Sequence, residues 1–385
     1  MTLTKPGPIT SLDELRTHLQ YAIGVELATI PTYLTAQFSL RESSNSAANE
    51  VIQSVVMEEM LHMTLAANVL NAIGGAPSTD PIPGVGVSPI PRYPTKLPFL
   101  GALPEIHLQP FSPAAVDEFI AIEAPVPAQP DPEAGGYSSI GAFYDAVASA
   151  LRRLCDPEVF AEGSRRRAGC QVTSEHYYGG AGSIVDVVDL DTALAAIHEI
   201  VAEGEGLPAQ SLRQTLAQHA LAGAAADPEL HVEDGDVEGY GWRMYSHYAR
   251  FREIRFGRRY RPDQLVEDQP AGDILPVDWS AVLPMRPDPA SADYRGTPAE
   301  RPMAEANRVY SQLIDLLYAA FNGHPEQVAA AVPVMYELRY QSVALMHMPS
   351  PLDPTRTLGP AFEYTRTSAA AAQPPRVGAS VSSRS

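Results

Sequence analysis

Between Asn49 and Gly75, apolar residues recur at Val51, Val55, Met63, Ala66 and Leu70. This three-to-four-residue spacing predicts a helix with a buried face, and Gly74 and Gly75 supply its stop, where a left-handed cap is needed. An earlier helix is predicted from about residue 11 to about residue 40. Ser11 and Glu14 have the spacing of a capping box, and Leu15, Leu19, Ala22, Ile23, Glu26, Ile30 and Tyr33 follow the buried side. Pro31 removes an interior hydrogen bond and predicts a kink just past Glu26. The loop between the two helices is short, which makes them antiparallel neighbours.

Further periodic stretches follow. Ser112 and Pro113 open a short helix with Phe119 and Ile122 on its buried side, and another runs from Ile140 to Leu154. Asp191 is read as the cap of a helix with Leu194, Ile197 and Val201 as its stripe, and His247, Phe251 and Ile254 share the face of a later one. Residues 76–110 are rich in proline and predict an extended crossover in which His107 has no special role. Residues 171–190 read as short extended segments with glycine turns, and "GSRRRAG" as a solvated basic loop. The pattern is all-α, a four-helix bundle with one long crossover, the ferritin-like connectivity. It occupies residues 10–260; residues 261–366 form a proline-rich wrap and two C-terminal helices, and residues 367–385 a small, polar tail expected to be disordered.

Three polar residues interrupt the apolar surface of the 49–75 helix: Glu58, Glu59 and His62. Glu59 and His62, three apart, share a face with Val55 and Ala66 and point inward; Glu58 is read as lying off that face. A carboxylate facing a core is costly unless something neutralises it. Glu-x-x-His projecting into a bundle is half of a carboxylate-bridged dimetal site. Pairing the first two helices about their middles sets Glu26 opposite this pair. Glu123, just before a proline stop, reads equally as a solvated helix-end carboxylate or a functional one. Glu205, between two glycines, reads as a helix end or a metal ligand, with Glu203 the competing carboxylate. His247 is favoured as a ligand, although the Glu that a symmetric site would place three residues earlier is Met244. Tyr33, seven residues after Glu26 and about two turns along the same face, is the candidate catalytic side chain, either a hydrogen-bond donor at the centre or a packing group.

Charge and cysteine usage narrow the function. The net charge of -19 argues against nucleic acid and anionic membrane surfaces as partners. Cys155 and Cys170 form neither a disulfide framework nor a zinc spacing, so a reduced compartment is the simpler reading. The N-terminal residues lack the order of a signal peptide and no apolar run reaches a membrane span, from which a cytoplasmic location is expected.

The segments "VELATIPTYL", "MEEMLHMTLAANVLNAIGG", "FIAIEAP", "IVAEGEG" and "SHYARFREI" resemble the ferritin-like proteins of the iminophenyl-pyruvate dimer synthase group. That domain is also found within the large enzymes that couple indole imines in violacein and rebeccamycin biosynthesis. The resemblance covers roughly residues 10–260. It implies a metal site in specialised metabolism with Glu26, Glu59, His62, Glu205 and His247 as ligands, and Glu123 as the replacement for the missing carboxylate. Iron, as a di-iron centre, is the expected cofactor, with manganese or another divalent metal as alternatives. The expected activity is oxidation of a small, amino-acid-derived substrate by dioxygen or peroxide, and a homo-oligomer is compatible with it. An iron-binding or detoxification bundle without an organic substrate, or a degenerate binding scaffold, are the competing readings.

Overall fold

A computed structural model describes residues 8–125, 136–177, 182–204, 245–261 and 263–366. Two long helices form its axis: α1 (Leu12–Phe38) and α2 (Ser46–Ala72). The capping box is present, with the Glu14 amide donating to Ser11 Oγ and the Ser11 amide to Glu14 Oε2. α1 runs through Pro31 as one helix, and every residue of α2 from Leu61 to Ala72 is buried. Gly74 adopts φ 78° at the end of α2, the left-handed conformation that glycine accepts without strain. Arg16, near the start of α1, donates to the free Ile73 carbonyl just past α2, where a cation suits the negative end of the helix dipole. The two helices are therefore antiparallel, as the short loop requires.

The crossover that follows is non-helical and lies along α1. The Tyr93 hydroxyl donates to Ala28 O at 2.7 Å and the Phe111 amide to Ser39 Oγ at 2.8 Å. His107, given no role from sequence, ties the crossover to the later wrap through Asp288, at 2.7 Å. Helices α3 (Pro113–Ile122), α4 (Ile140–Leu154), α5 (Pro157–Arg166), α6 (Leu190–Gly204) and α7 (His247–Phe256) follow. α3 packs on α7, and α4 on α6. Among the described residues, α3 and α7 thus pair beside one end of the α1–α2 axis and α4 and α6 beside the other.

Two local expectations are corrected. The basic run is not a loop: Asp156 caps α5, Pro157 takes its first position, and Arg165 and Arg166 form its last turn. The side chain that caps the start of α6 is Asp189, accepting from the Thr192 amide, rather than Asp191. The described residues of the 171–190 segment, read as short extended stretches, are non-helical ahead of α6 and form no strand. Among the described residues β pairing is confined to isolated bridges, and Asn68 of α2 supplies hydrogen bonds to the segment instead.

The wrap clamps the α1–α2 loop, with the Leu283 amide donating to Ser39 O and the Asp278 amide to Asn45 Oδ1. It leads to α8 (Glu300–Ala320) and α9 (Gln327–Met346), which pack together and, through α9, on α1. No described helix is long and apolar enough to cross a membrane. Both cysteines are free and buried. The 367–385 tail lies outside the described residues.

The bundle interior divides in two. One apolar cluster gathers Tyr33, Val51, Val55, Phe119, Phe251 and Ile254, from the late turns of α1, the first half of α2, α3 and α7. The other gathers Leu15, Leu19, Leu65, Val69, Tyr144, Val147 and Ile197, from the opposite ends of α1 and α2 with α4 and α6. Between the two lies a layer of buried polar side chains.

Candidate metal centre

That layer is built from five helices. α1 contributes Glu26, α2 contributes Glu58, Glu59 and His62, the C-cap of α3 is Glu123, α6 contributes Glu203, and α7 opens with His247. Glu26, Glu59, His62, Glu123 and His247 are all buried, between 0% and 3% exposed, so their polar atoms face one another instead of water. Glu59 is central. Its Oε1 lies 3.1 Å from His247 Nδ1 and its Oε2 lies 3.7 Å from His62 Nδ1. Glu26 Oε2 is 3.8 Å from His62 Nδ1, and Glu123 Oε2 is 3.7 Å from His247 Nδ1. The two imidazoles stack at 5.4 Å between ring centroids, 25° from parallel.

Each flanking carboxylate is held by a phenol. Tyr144 donates a short hydrogen bond to Glu26 Oε1, and Tyr33 one to Glu123 Oε1. Each histidine is also held from behind. His62 Nε2 lies 2.9 Å from Glu203 Oε2, and His247 Nε2 lies 2.8 Å from Glu58 Oε2. Arg250, fully buried and one turn after His247, pairs with both oxygens of Glu58. A cavity of about 10 Å³ adjoins Glu26, Glu59, His62, Glu123 and Tyr144 and is closed by Ile140, Gly141, Ile200, Val201 and Gly204 of α4 and α6. It has room for roughly one water-sized species.

The electrostatics describe a site that calls for positive charge. Burial, then repulsion from Glu59, pushes Glu26 and Glu123 above the usual carboxylate range. Burial would raise Glu59 as well, but His247 and His62 outweigh it and hold the group well below its ordinary value. Burial opposes protonation of His62, yet the carboxylates of Glu203 and Glu59 push it up to about 10. His247 is raised for the same reason, with Glu123, Glu58 and Glu59 opposing the effect of burial. Burial, then the adjoining carboxylates, keeps the Tyr33 and Tyr144 phenols neutral. The surrounding carboxylates thus favour positive charge at both imidazoles, which is the demand that a bound cation would meet.

The donor set fits a divalent metal. Ligand atoms of Glu59, His62 and His247 all lie within 4.8 Å of one another. His247 Nδ1 is buried with no hydrogen-bond partner, being out of line with Glu59 despite their separation of 3.1 Å. Nitrogen and carboxylate oxygen suit iron, manganese or zinc.

Five of the residues singled out from sequence therefore converge: Glu26, Glu59, His62, Glu123 and His247. Tyr33 joins them through Glu123. Glu205 and Met244 lie outside the described residues, and the competing carboxylate Glu203 is the one seen against His62. Ser246 caps α7 and His247 is its first residue.

Glu58 is also corrected. It is buried rather than turned away, because α2 is surrounded on more than one side and its neighbouring faces are both interior. Arg250 and the hydroxyl of Tyr144 were missed. The signal for Arg250 was an arginine one helical turn beyond His247, on the same face; Tyr144 carried none beyond its place in an apolar stripe.

A comparison with protein families matches residues 19–256 to the ferritin-like family. Among curated proteins, the dichlorochromopyrrolate synthase of Lentzea aerocolonigenes is 23% identical over 426 aligned residues; the match takes in 94% of this chain but only 37% of that enzyme's length. Among solved structures, a ferritin-like protein from Caulobacter vibrioides superposes with a TM-score of 0.57 at 22% identity, over 93% of this chain and 100% of that one. The latter likeness concerns the fold.

Proposed function

The chain belongs to the ferritin-like family, and we propose that it is a metal-dependent oxidoreductase with a dinuclear, iron-containing centre. The observation that carries this reading is the convergence of Glu59, His62 and His247, with ligand atoms within 4.8 Å of one another in a buried layer. Glu26 and Glu123 complete the donor set, one beside each imidazole. Glu59 turns one oxygen towards each histidine, so it would help to hold metal together with either of them. Iron held there would supply redox chemistry with dioxygen or peroxide.

The chain's own residues define what surrounds that chemistry. Tyr33 and Tyr144, kept neutral by burial, donate to the outer oxygens of Glu123 and Glu26 and hold those carboxylates in place. Tyr33 is therefore a positioning residue in this reading. Phe119 and Phe251 pack on its ring and exclude water from the α3–α7 side. The opposite side, between α4 and α6, carries the small cavity, which fits the oxidant. The distant similarity to dichlorochromopyrrolate synthase, and the resemblance to the iminophenyl-pyruvate dimer synthase group, support a small, amino-acid-derived substrate in specialised metabolism.

The test begins with elemental analysis of the purified protein, for which about two metal ions per chain are expected. Anaerobic loading with ferrous iron, followed by oxygen, should then give uptake that rises when imines of aromatic amino acids are added, with an oxidised organic product by mass spectrometry. Iron accumulating with oxygen uptake, and no organic compound altering it, would favour the detoxification reading. Failure to bind metal would leave a scaffold.

A further inference from the structure

We propose that Glu58 and Arg250 form a buried positioning pair that fixes His247 with its Nε2 protonated and its Nδ1 lone pair turned to the centre. The inference rests on the metal-binding reading above and adds residues that lie behind the ligands. His247 is 0% exposed, and its two ring nitrogens meet different surroundings. Nε2 lies 2.8 Å from Glu58 Oε2, whereas Nδ1 has no hydrogen-bond partner and faces Glu59 and Glu123. An ionised carboxylate only accepts hydrogen bonds. Glu58 therefore requires the proton on Nε2, which leaves Nδ1 as the donor atom for a metal.

Arg250 is what keeps Glu58 a carboxylate anion at this depth. Its Nη1 lies 3.0 Å from Glu58 Oε1, its Nη2 pairs with Oε2, and its Nη1 also donates to Ser54 Oγ at 2.9 Å. Both oxygens of Glu58 are thereby occupied on the far side of the ring from the centre, so Glu58 is not itself a ligand. Burying two ions is a poor route to stability, since a pair of this kind is often replaced by apolar side chains without loss. Orienting a ligating imidazole is a use that an apolar pair cannot fill, because a carboxylate on the second nitrogen sets both tautomer and ring orientation.

The other histidine supplies an internal comparison. His62 also turns Nδ1 to the centre and has its Nε2 held by a carboxylate, that of Glu203. Glu203 is 13% exposed at the side chain, against 8% for Glu58, and sits in the last turn of α6. Both histidines are thus gripped from behind, with the buried arginine found on the His247 side.

Zinc(II) and cobalt(II), each added alone to the full chain, test the pair. The variants are Glu58→Gln and the double variant E58L/R250M, which removes both charges together and leaves no unpaired buried ion. Loss of such an outer partner is expected to weaken the ion on the His247 side roughly 10- to 100-fold, with the ion on the His62 side unchanged. With isotope-labelled histidine in the zinc-loaded protein, the Nε2–H resonance of His247 should shift in both variants while that of His62 stays. If wild type binds neither ion, the metal reading itself fails. If wild type binds and the double variant binds with equal affinity and an unmoved His247 resonance, the positioning role is overturned. Should Glu58→Gln fail to fold, the double variant decides alone.

Discussion

Replacing Asn68 by leucine probes how the wall of the centre is held. Asn68 is fully buried on α2, six residues after His62, and its side chain grips the non-helical segment ahead of α6. Its Nδ2 donates to Val172 O at 2.8 Å and to Val185 O at 3.3 Å, and its Oδ1 accepts from the Val172 amide at 3.0 Å. Leucine keeps the volume and removes all three bonds. The stranded Val172 amide costs about 1–3 kcal/mol, and the loss at its carbonyl about 1 kcal/mol more, so roughly 3 kcal/mol is expected in all. With an unfolding entropy of about 2.1 cal/mol/K per residue, cooperative unfolding of a 385-residue chain then shifts by about 4 °C.

The same segment carries Gly182, where a Cβ would come within 2.9 Å of Glu203 Oε1 and 2.6 Å of Leu61 Cδ2. Loosening it should free Glu203, and with it the outer hydrogen bond of His62. Hydrogen exchange followed by mass spectrometry should show faster exchange at Val172 and Val187 than in α1. A melting temperature within 1 °C of wild type, measured on the Asn68→Leu protein with unchanged exchange, would refute the idea that Asn68 anchors this wall (about 0.5 kcal/mol or less is what an ordinary surface change gives).

Other perturbations read separate parts of the structure. Burial pushes Glu118 of α3 up to about 7 from 4.5, so the folded chain retains a proton that the unfolded chain releases between those values. That contribution is fully present below about pH 4.5 and is lost as the pH rises through about 7; Glu118→Gln should flatten this part of the urea-stability profile, and an unchanged slope would assign it elsewhere. A Cβ on Gly163 would meet Ala72 O at 1.9 Å, so Gly163→Ala should lose roughly 1–2 kcal/mol in thermal melts, overpacking outweighing alanine's better helix propensity. A higher melting temperature would show that α5 is not seated on α2. Metal at about 100 times its Kd should add about 2.7 kcal/mol of stability that a chelator removes, and identical denaturation curves with and without chelator would count against a structural hold on the ion.

The sequence made the long helices legible because each carries several agreeing signals. α1 has its capping box and apolar side, α2 its glycine stop, and α3 its Ser–Pro start. Glu59 and His62 stood out because a polar pair at helical spacing interrupts an apolar face. Glu58 did not, since face arithmetic assumes one interior side, whereas α2 packs on α1, α5, α6 and α7. Glu203 lies about 200° round the helix from Val201 of the apolar stripe, so its place against His62 follows from the packing of α6 and not from periodicity. The Glu58–Arg250 pairing joins residues 192 apart in sequence, a proximity that no local pattern encodes.

A layer of buried carboxylates between two apolar clusters is a weak point in a helical bundle, and the rest of this chain is placed to hold it. The register of α2 sets Glu58, Glu59 and His62 against the other helices, and α2 is tied at both ends. Asn45, ahead of it, exchanges two hydrogen bonds with Asp278 of the wrap. Near its far end Asn71 donates to Cys170 O and to Phe321 O, which joins α2 to α8, while Arg167 donates to Asn71 Oδ1. The wrap and the C-terminal helices lie far from the centre in sequence, yet each reaches the helix that carries three of its residues. Repulsion among Glu26, Glu59 and Glu123 favours their separation when no cation is bound, and these ties oppose it without contacting any of the three. On the proposed metal-binding reading, stability and affinity should be coupled through α2: a change that loosens a distant tie would let the carboxylates part, and zinc(II) titration should then show weaker binding although every proposed ligand is intact.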